Sequence, residues 1–275
     1  MGSLTSYNSR FFVAGLTLMF ALGLSLSIAP SKSGAQNLEL LVPGQLSAAT
    51  EGTYPPYSMA DATGELLGLE VSVIREISRR IGLKYVPVRM KWESILIGLL
   101  ADQYDMSSGT MSITAERQQK VTFGDAWVES GSRLVVRNDS PIRTKGDFKG
   151  KTVGVLVAST WVPLAEALGA REVKYYKSDS DAIQDVINKN VDGVIEDAIT
   201  ISYAIKESKL PLRVLDEYLD RDQRGMAFKK GKPNLVKAYN KALADMMADG
   251  TYAKISTETV GFDARPKNPI RSILE

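Results

Sequence analysis

Apolar positions along this chain change their spacing in a regular way. An uncharged stretch rich in Leu, Phe, Ala and Gly runs from Phe11 to Pro30. Beyond it, short apolar runs trade places with segments whose apolar residues recur at helical spacing. Leu38–Val42 reads as a strand. From Leu69 to Ile81, Val71, Ile74, Ile77 and Ile81 fall on one side and Arg75, Arg79 and Arg80 on the other, which predicts a helix. Tyr85–Met90 alternates like a strand, Trp92–Ala101 reads as a helix, and Asp105–Ser108 and Ser132–Val136 read as strands.

The pattern then repeats. Lys151–Val157 reads as a strand, Trp161–Leu168 as a helix and Val173–Tyr176 as a strand. Ser180 caps a helix running to about Lys189, Gly193–Ile195 ends a strand, Ala198–Glu207 is helical and Leu212–Leu215 is a strand. Pro233–Asp249 is a long amphipathic helix with Leu235, Ala238, Tyr239, Leu243 and Met246 on one side and Gly250 closing it. This doubled alternation predicts an α/β protein of two lobes. We place lobe one at 37–134 plus 225–275 and lobe two at 138–221. The chain crosses between them at Ser132–Val136 and Arg224–Ala227, and the tail helix returns to lobe one. Sites in open α/β sheets lie beyond the carboxyl ends of strands, so the residues just after each strand are the candidates.

Two zeros in the composition narrow the chemistry. The 275 residues include no cysteine and no histidine. That excludes disulfides, iron–sulfur clusters, cysteine nucleophiles, Ser–His–Asp triads, His/Cys zinc sites and a lipid anchor on cysteine. No acidic calcium loop appears either, so neither metal nor cofactor is expected. Residues 1–35 read as a secretory signal: Arg10 precedes the apolar run, Lys32 follows it, and Ser33-Gly34-Ala35 offers small residues for cleavage before Gln36. An uncleaved membrane anchor is the rival reading, because the apolar run is long. Arg10 and Lys32 are the only charges there, so the remaining 240 residues carry 32 acids and 32 bases. A neutral chain without a basic run gives no footprint for nucleic acid. An exported protein without cysteine suits the periplasm.

Four segments carry candidate chemistry. In Gly109–Arg117, Thr114 caps a short helix and puts Arg117 in its first turn, where a cation opposes the helix dipole unless it has an anion to bind. A cleft Arg beside hydroxyls and free N–H groups suits a carboxylate; a surface pair with Glu116 or Glu129 is the alternative. Ser159 and Thr160 follow Val155-Leu156-Val157 and open a helix, either as an anion site or as an ordinary cap. Glu196 and Asp197 end an apolar strand, either to accept an ammonium or, for Asp197, to cap a helix. Tyr54 and Tyr57 flank a proline pair and, with Trp92, suit an aromatic sandwich around a ligand stem. For Tyr57 core packing is the favoured alternative.

The ordered strings TEGTYPPYS, MSITAER, VTFGDAWVESG, FKGKTVGV and VDGVIED, with the aromatic Trp92, resemble the polar amino-acid solute-binding proteins of ABC importers. The likeness runs from about Leu38 to Phe262. It implies a two-lobed periplasmic-binding-protein fold of class II, with two crossing hinge strands, that closes on its ligand. It implies that Arg117 clamps an α-carboxylate with Ser112 and the backbone near Ser159 and Thr160. Asp197 and the Thr110 carbonyl would take the α-ammonium, and Tyr54 and Trp92 would stack on the side chain. Glu51, Met111, Leu156 and Glu196 would line its far end. Thr110 and Ala158 stand where the family usually has glycine, and Thr259-Val260-Gly261-Phe262 replaces its usual Trp-Phe-Gly ending.

Arg117 and Asp197 balance a zwitterion, which leaves Glu51 and Glu196 in surplus. A buried unpaired carboxylate is costly, so the expected ligand has a cationic side chain: lysine, arginine, ornithine or a related guanidino compound. The expected protein is a monomer and not an enzyme, with a small amino acid or derivative and a membrane permease as partners. The alternative is an exported cyclohexadienyl dehydratase on the same scaffold, in which Glu196 or Glu51 would be an acid of raised pKa.

Overall fold

The computed structural model describes residues 38–107 and 110–274; the signal read over 1–35 lies outside them. Two sheets dominate. The first has five strands in the order Lys84–Arg89, Gln45–Thr50, Met106–Ser107, Ala227–Lys229, Val121–Phe123. Its first three are parallel, and Ala227–Lys229 runs antiparallel to both of its neighbours. The second has six, in the order Glu172–Tyr176, Thr152–Leu156, Gly193–Asp197, Val128–Arg137, Leu212–Gly225, Met111–Ser112. A small three-stranded sheet, Thr53–Tyr54, Ser58–Ala60 and Leu66–Leu67, carries the tyrosine loop.

Both large sheets are covered on both faces, which is why their strands read as apolar runs. In the first sheet Leu46 and Ala48 face a core built with Ile74, Ile77, Leu235 and Tyr239, while Ala49 faces Ile95, Leu99 and Phe123. In the second, Val136 and Ile195 face Trp161 and Phe148, while Val135 and Val194 face Val186 and Ile201. The helix Pro233–Ala248 packs on Leu69–Arg80 and on Thr251–Val260, a helix the apolar pattern does not reveal.

Two strands join the sheets. Val128–Arg137 leads out of the first, and Leu212–Gly225 returns beside it, antiparallel, and continues into Ala227–Lys229. The return strand extends ten residues beyond the expected Leu212–Leu215, because exposed Asp216, Glu217 and Asp220 hide it in the apolar pattern. The strand expected at Leu38–Val42 forms at Gln45–Thr50 instead. Pro43 and Gly44 turn the chain, with Gly44 at φ +78°, and the strand itself is rich in small residues suited to the middle of a covered sheet. Ser178, not Ser180, caps the next helix, Asp179–Ile187, and this puts Asp179 at its first position.

The tyrosine loop is seated on the helix Leu69–Arg80. Leu69 and Glu70 donate their N–H groups to the Pro56 and Tyr57 carbonyls at 2.9 and 3.0 Å. Gly68, at φ +119°, makes this approach possible: a Cβ there would lie 2.3 Å from the Tyr57 oxygen.

Candidate functional site

The carboxyl ends of strands from both sheets open onto one cleft, with about 360 Å³ of non-atom space, part of it open to solvent. Glu51, just after the strand Gln45–Thr50, Tyr54 of the small sheet, Trp92, Thr110 and Arg117 line it together with Ser112, which belongs to the edge strand of the second sheet. From the second come Leu156, Ser159, Thr160, Trp161 and Asp179, and the return strand adds Arg224. Sequence reasoning missed Trp161, Asp179 and Arg224. Asp179 sits just after a strand, as the other candidates do, but the cap was placed two residues late. Arg224 closes the charged string Asp220-Arg221-Asp222-Gln223-Arg224, in which nothing local marks one charge as the buried one.

Arg117 sits where its helix begins. The Thr114 hydroxyl accepts the Arg117 N–H at 3.2 Å. The guanidinium donates from Nη1 to the Ser112 carbonyl (3.0 Å) and from Nη2 to the Ala158 carbonyl (3.3 Å), and lies 5.6 Å from the Trp92 ring centre. Glu116 pairs with Lys120 instead, so the surface alternative for Arg117 is not what forms. No carboxylate of a described residue lies within ion-pair distance of Arg117. Burial disfavours its charge, against attraction from Asp222 and Glu116. Ala158, whose carbonyl Arg117 meets, takes a left-handed conformation, φ +58°, which is unfavourable for a residue with a Cβ. Ser159 holds this turn: its hydroxyl donates to the Leu156 carbonyl (2.7 Å) and accepts the Trp161 N–H (3.2 Å).

Asp197 does not reach the cleft. It is fully buried and caps the helix Ala198–Ser208, its Oδ1 accepting from the N–H groups of Ile199 (3.0 Å) and Thr200 (2.9 Å). Its Oδ2 accepts from the Ser130 hydroxyl (2.5 Å) and from Arg224 Nη2 (2.6 Å). The position expected to take an ammonium therefore already holds a guanidinium from the chain itself. Arg224, 2% exposed, also donates from Nε to Asp222 Oδ2 at 3.3 Å. That same oxygen accepts from the Ser112 hydroxyl. Burial opposes the Arg224 charge, and Asp197 and Asp222 more than offset it.

At the far end, Met111 packs in the core with Leu99 and Phe123 and also borders the adjoining cavity that Trp92, Arg117, Ser159 and Thr160 line. Glu196 is 1% exposed and lies off the cleft wall, a correction to the expected lining. The acid on the wall is Asp179, and the two interact closely. Burial and the Asp179 charge push the Glu196 carboxyl well up, and burial raises Asp179 to about 6. Glu51 is pushed up to about 8 by burial and by the charges of Asp179, Glu70 and Glu93. Both Glu196 oxygens and Asp179 Oδ1 lack a hydrogen bond of ordinary geometry to any described residue. Among the described residues no group of three or more acids is arranged to hold a metal ion. Among the described residues none forms an ion pair with Glu51, Asp179 or Glu196, and the Arg224 charge acts on Asp179 from a distance.

Tyr54 presents one edge to the cleft and stacks on Tyr57, ring centres 5.6 Å apart. Tyr57 is wholly buried, packed edge-on to Trp127, with its hydroxyl donating to Asp197 Oδ1 (3.4 Å) and its ring centre 5.8 Å from the Arg224 guanidinium.

The model of one protein family, described as bacterial extracellular solute-binding proteins, family 3, matches residues 46–261. The L-cystine-binding protein of Escherichia coli is 30% identical over 223 residues, covering 80% of this chain and 84% of that one. The histidine-binding periplasmic protein of Salmonella typhimurium is 30% identical over 261 residues, covering 89% and 98%. Among solved structures, an ancestral arginine-binding protein bound to glutamine superposes with a TM-score of 0.75 at 31% identity, covering 80% and 99%.

Proposed function

The chain belongs to the bacterial extracellular solute-binding proteins of family 3, and from that premise we propose that its cleft captures a small carboxylate-bearing cation, a basic amino acid or related guanidino compound, for uptake by an ABC importer. The observation that carries the ligand class is the division of the cleft. Arg117 stands at one end with two carbonyl contacts and no carboxylate partner. Glu51 and Asp179 line the same cleft without an ion-pair partner among the described residues, though the Arg224 charge acts on Asp179. Lobes 37–134 plus 225–275 and 138–221 would close on the ligand, since only the closed state gains contacts from both sides. Export as a monomer, cut before Gln36, completes the reading.

The matching relatives are binding proteins, and this chain is one rather than an enzyme. A dehydratase would need an acid of raised pKa, and Glu51 has one. Yet a buried acid awaiting a cation shows the same shift.

A thermal-shift screen tests the reading. Ligand at one hundred times its dissociation constant adds about 2.7 kcal/mol to the folded state. At roughly 2–4 °C per kcal/mol, a basic ligand raises Tm by about 5–10 °C. Glutamate and aspartate leave it unchanged. Arg117→Ala weakens binding by about 2–5 kcal/mol, roughly 30- to several-thousand-fold, with little change in the ligand-free Tm. A rise with glutamate and none with basic ligands would overturn the assignment of the acidic end.

A further inference from the structure

The cleft wall near Arg117 is cationic where an α-amino acid would need it to be anionic. A ligand whose carboxylate rests on Arg117 has its α-nitrogen only two bonds from that carboxylate. The side chain facing the cleft there is Arg224, whereas the acids behind it, Asp197 and Asp222, do not line the cleft. Every contact of Asp197 is taken: two N–H groups and the Tyr57 hydroxyl on Oδ1, and the Ser130 hydroxyl and the Arg224 guanidinium on Oδ2. Asp222 Oδ2 receives Ser112 and Arg224, while its Oδ1 is buried without a partner among the described residues and does not line the cleft. An α-ammonium would therefore meet the Arg224 charge before either of these acids, which is a desolvation cost without compensation. Glu51 and Asp179 are the acids that line the cleft, and the Arg224 charge already acts on Asp179.

We propose that the Arg224 guanidinium occupies the ammonium position beside Asp197 and Asp222, so that the cleft selects ω-guanidino or ω-amino carboxylates lacking an α-amino group over the matching α-amino acids. This rests on the reading above that Arg117 holds the ligand carboxylate. It sets the chain apart from its relatives, which are named for α-amino acids. Arg224 is then a specificity-determining residue. It donates toward the carboxylate end of the ligand and, like a built-in ligand ammonium, neutralises Asp197. The geometry that makes this possible is the return strand, which pairs Arg224 with Val128 on one side and with Ser112 on the other.

Titration calorimetry on the exported form (residues 36–275) with matched pairs tests it. The pairs are arginine and 5-guanidinopentanoate, lysine and 6-aminohexanoate, and glutamine and 5-amino-5-oxopentanoate. Within the pair that binds, the member without the α-amino group binds more tightly by about tenfold or more, equivalent to about 1.4 kcal/mol. Arg224→Leu reverses that order by opening Asp197 to the α-ammonium. Equal or tighter wild-type binding of the α-amino member overturns the proposal, whether or not the variant folds. If only the neutral pair binds, the cationic-ligand reading fails, while the ratio within that pair still decides the role of Arg224. If no pair binds, the carboxylate role of Arg117 fails and the inference goes with it.

Discussion

Two sets of buried acids in this protein have opposite surroundings. Asp105, 1% exposed at the start of the strand Met106–Ser107, is fully provided for. Its Oδ1 accepts from the Leu41 N–H (2.7 Å) and the Lys232 ammonium (3.4 Å). Its Oδ2 accepts from the N–H and hydroxyl of Ser47 at 2.9 and 2.5 Å. Glu51, Asp179 and Glu196 have no ion-pair partner among the described residues and few hydrogen bonds, and each has its pKa raised. A buried charge with every partner present holds the fold together; a buried charge without them costs stability until something arrives. The difference marks Asp105 as structural and, on the function proposed above, keeps the acids of the cleft for a ligand.

The largest effect expected from this contrast is on stability. Asp105→Ala strands the Lys232 ammonium and two backbone N–H groups, so it lowers unfolding free energy by about 3–5 kcal/mol, measured by urea denaturation. Ligand affinity of the folded variant stays at the wild-type value. A loss below about 1 kcal/mol, the ordinary size for a point substitution, would erase the distinction between the two sets.

Next comes proton linkage at Glu51. Its pKa of about 8 lies above its ordinary 4.5, so between those values the folded state holds a proton that the unfolded state has lost. Stability of the ligand-free protein therefore falls as pH rises through that window. Glu51→Gln flattens the fall. A cationic ligand restores the ionised form, so binding near pH 7 releases roughly one proton, read from calorimetry in buffers of different ionisation enthalpy. Proton uptake on binding would place the cation elsewhere.

The smallest effect is at Glu196. Burial and Asp179 keep it protonated, so Glu196→Gln replaces one neutral group by another of the same shape. The change in urea stability is under about 1 kcal/mol. A loss as large as that from Asp105→Ala would mean that Glu196 is ionised and paired in the folded protein.

Which parts of this were legible in the sequence follows from the range of the forces involved. The helices Leu69–Arg80 and Pro233–Ala248 were, because an apolar stripe is written locally at helical spacing. Arg117 was, because Thr114 caps its helix three residues earlier. The absence of histidine and cysteine already confined the site's chemistry to carboxylate, Arg/Lys, hydroxyl, aromatic and backbone groups. The pairing of Arg224 with Asp197 was not legible. These residues are 27 apart, and they meet only because the strand Val128–Arg137 lies between their two strands and sets both registers. Periodicity tells which face of a strand is apolar; it carries no record of which polar group on a distant strand it will face. Asp179, Glu196 and Glu51 likewise come from three separate strand ends, and their shared shortage of partners exists only once the sheets have packed. The sequence by itself determined the lobes' materials and one cation of the cleft, Arg117. Tertiary structure decided that the wall beside it offers the Arg224 guanidinium in front of Asp197 and Asp222, because desolvation and charge pairing act through space and not along the chain.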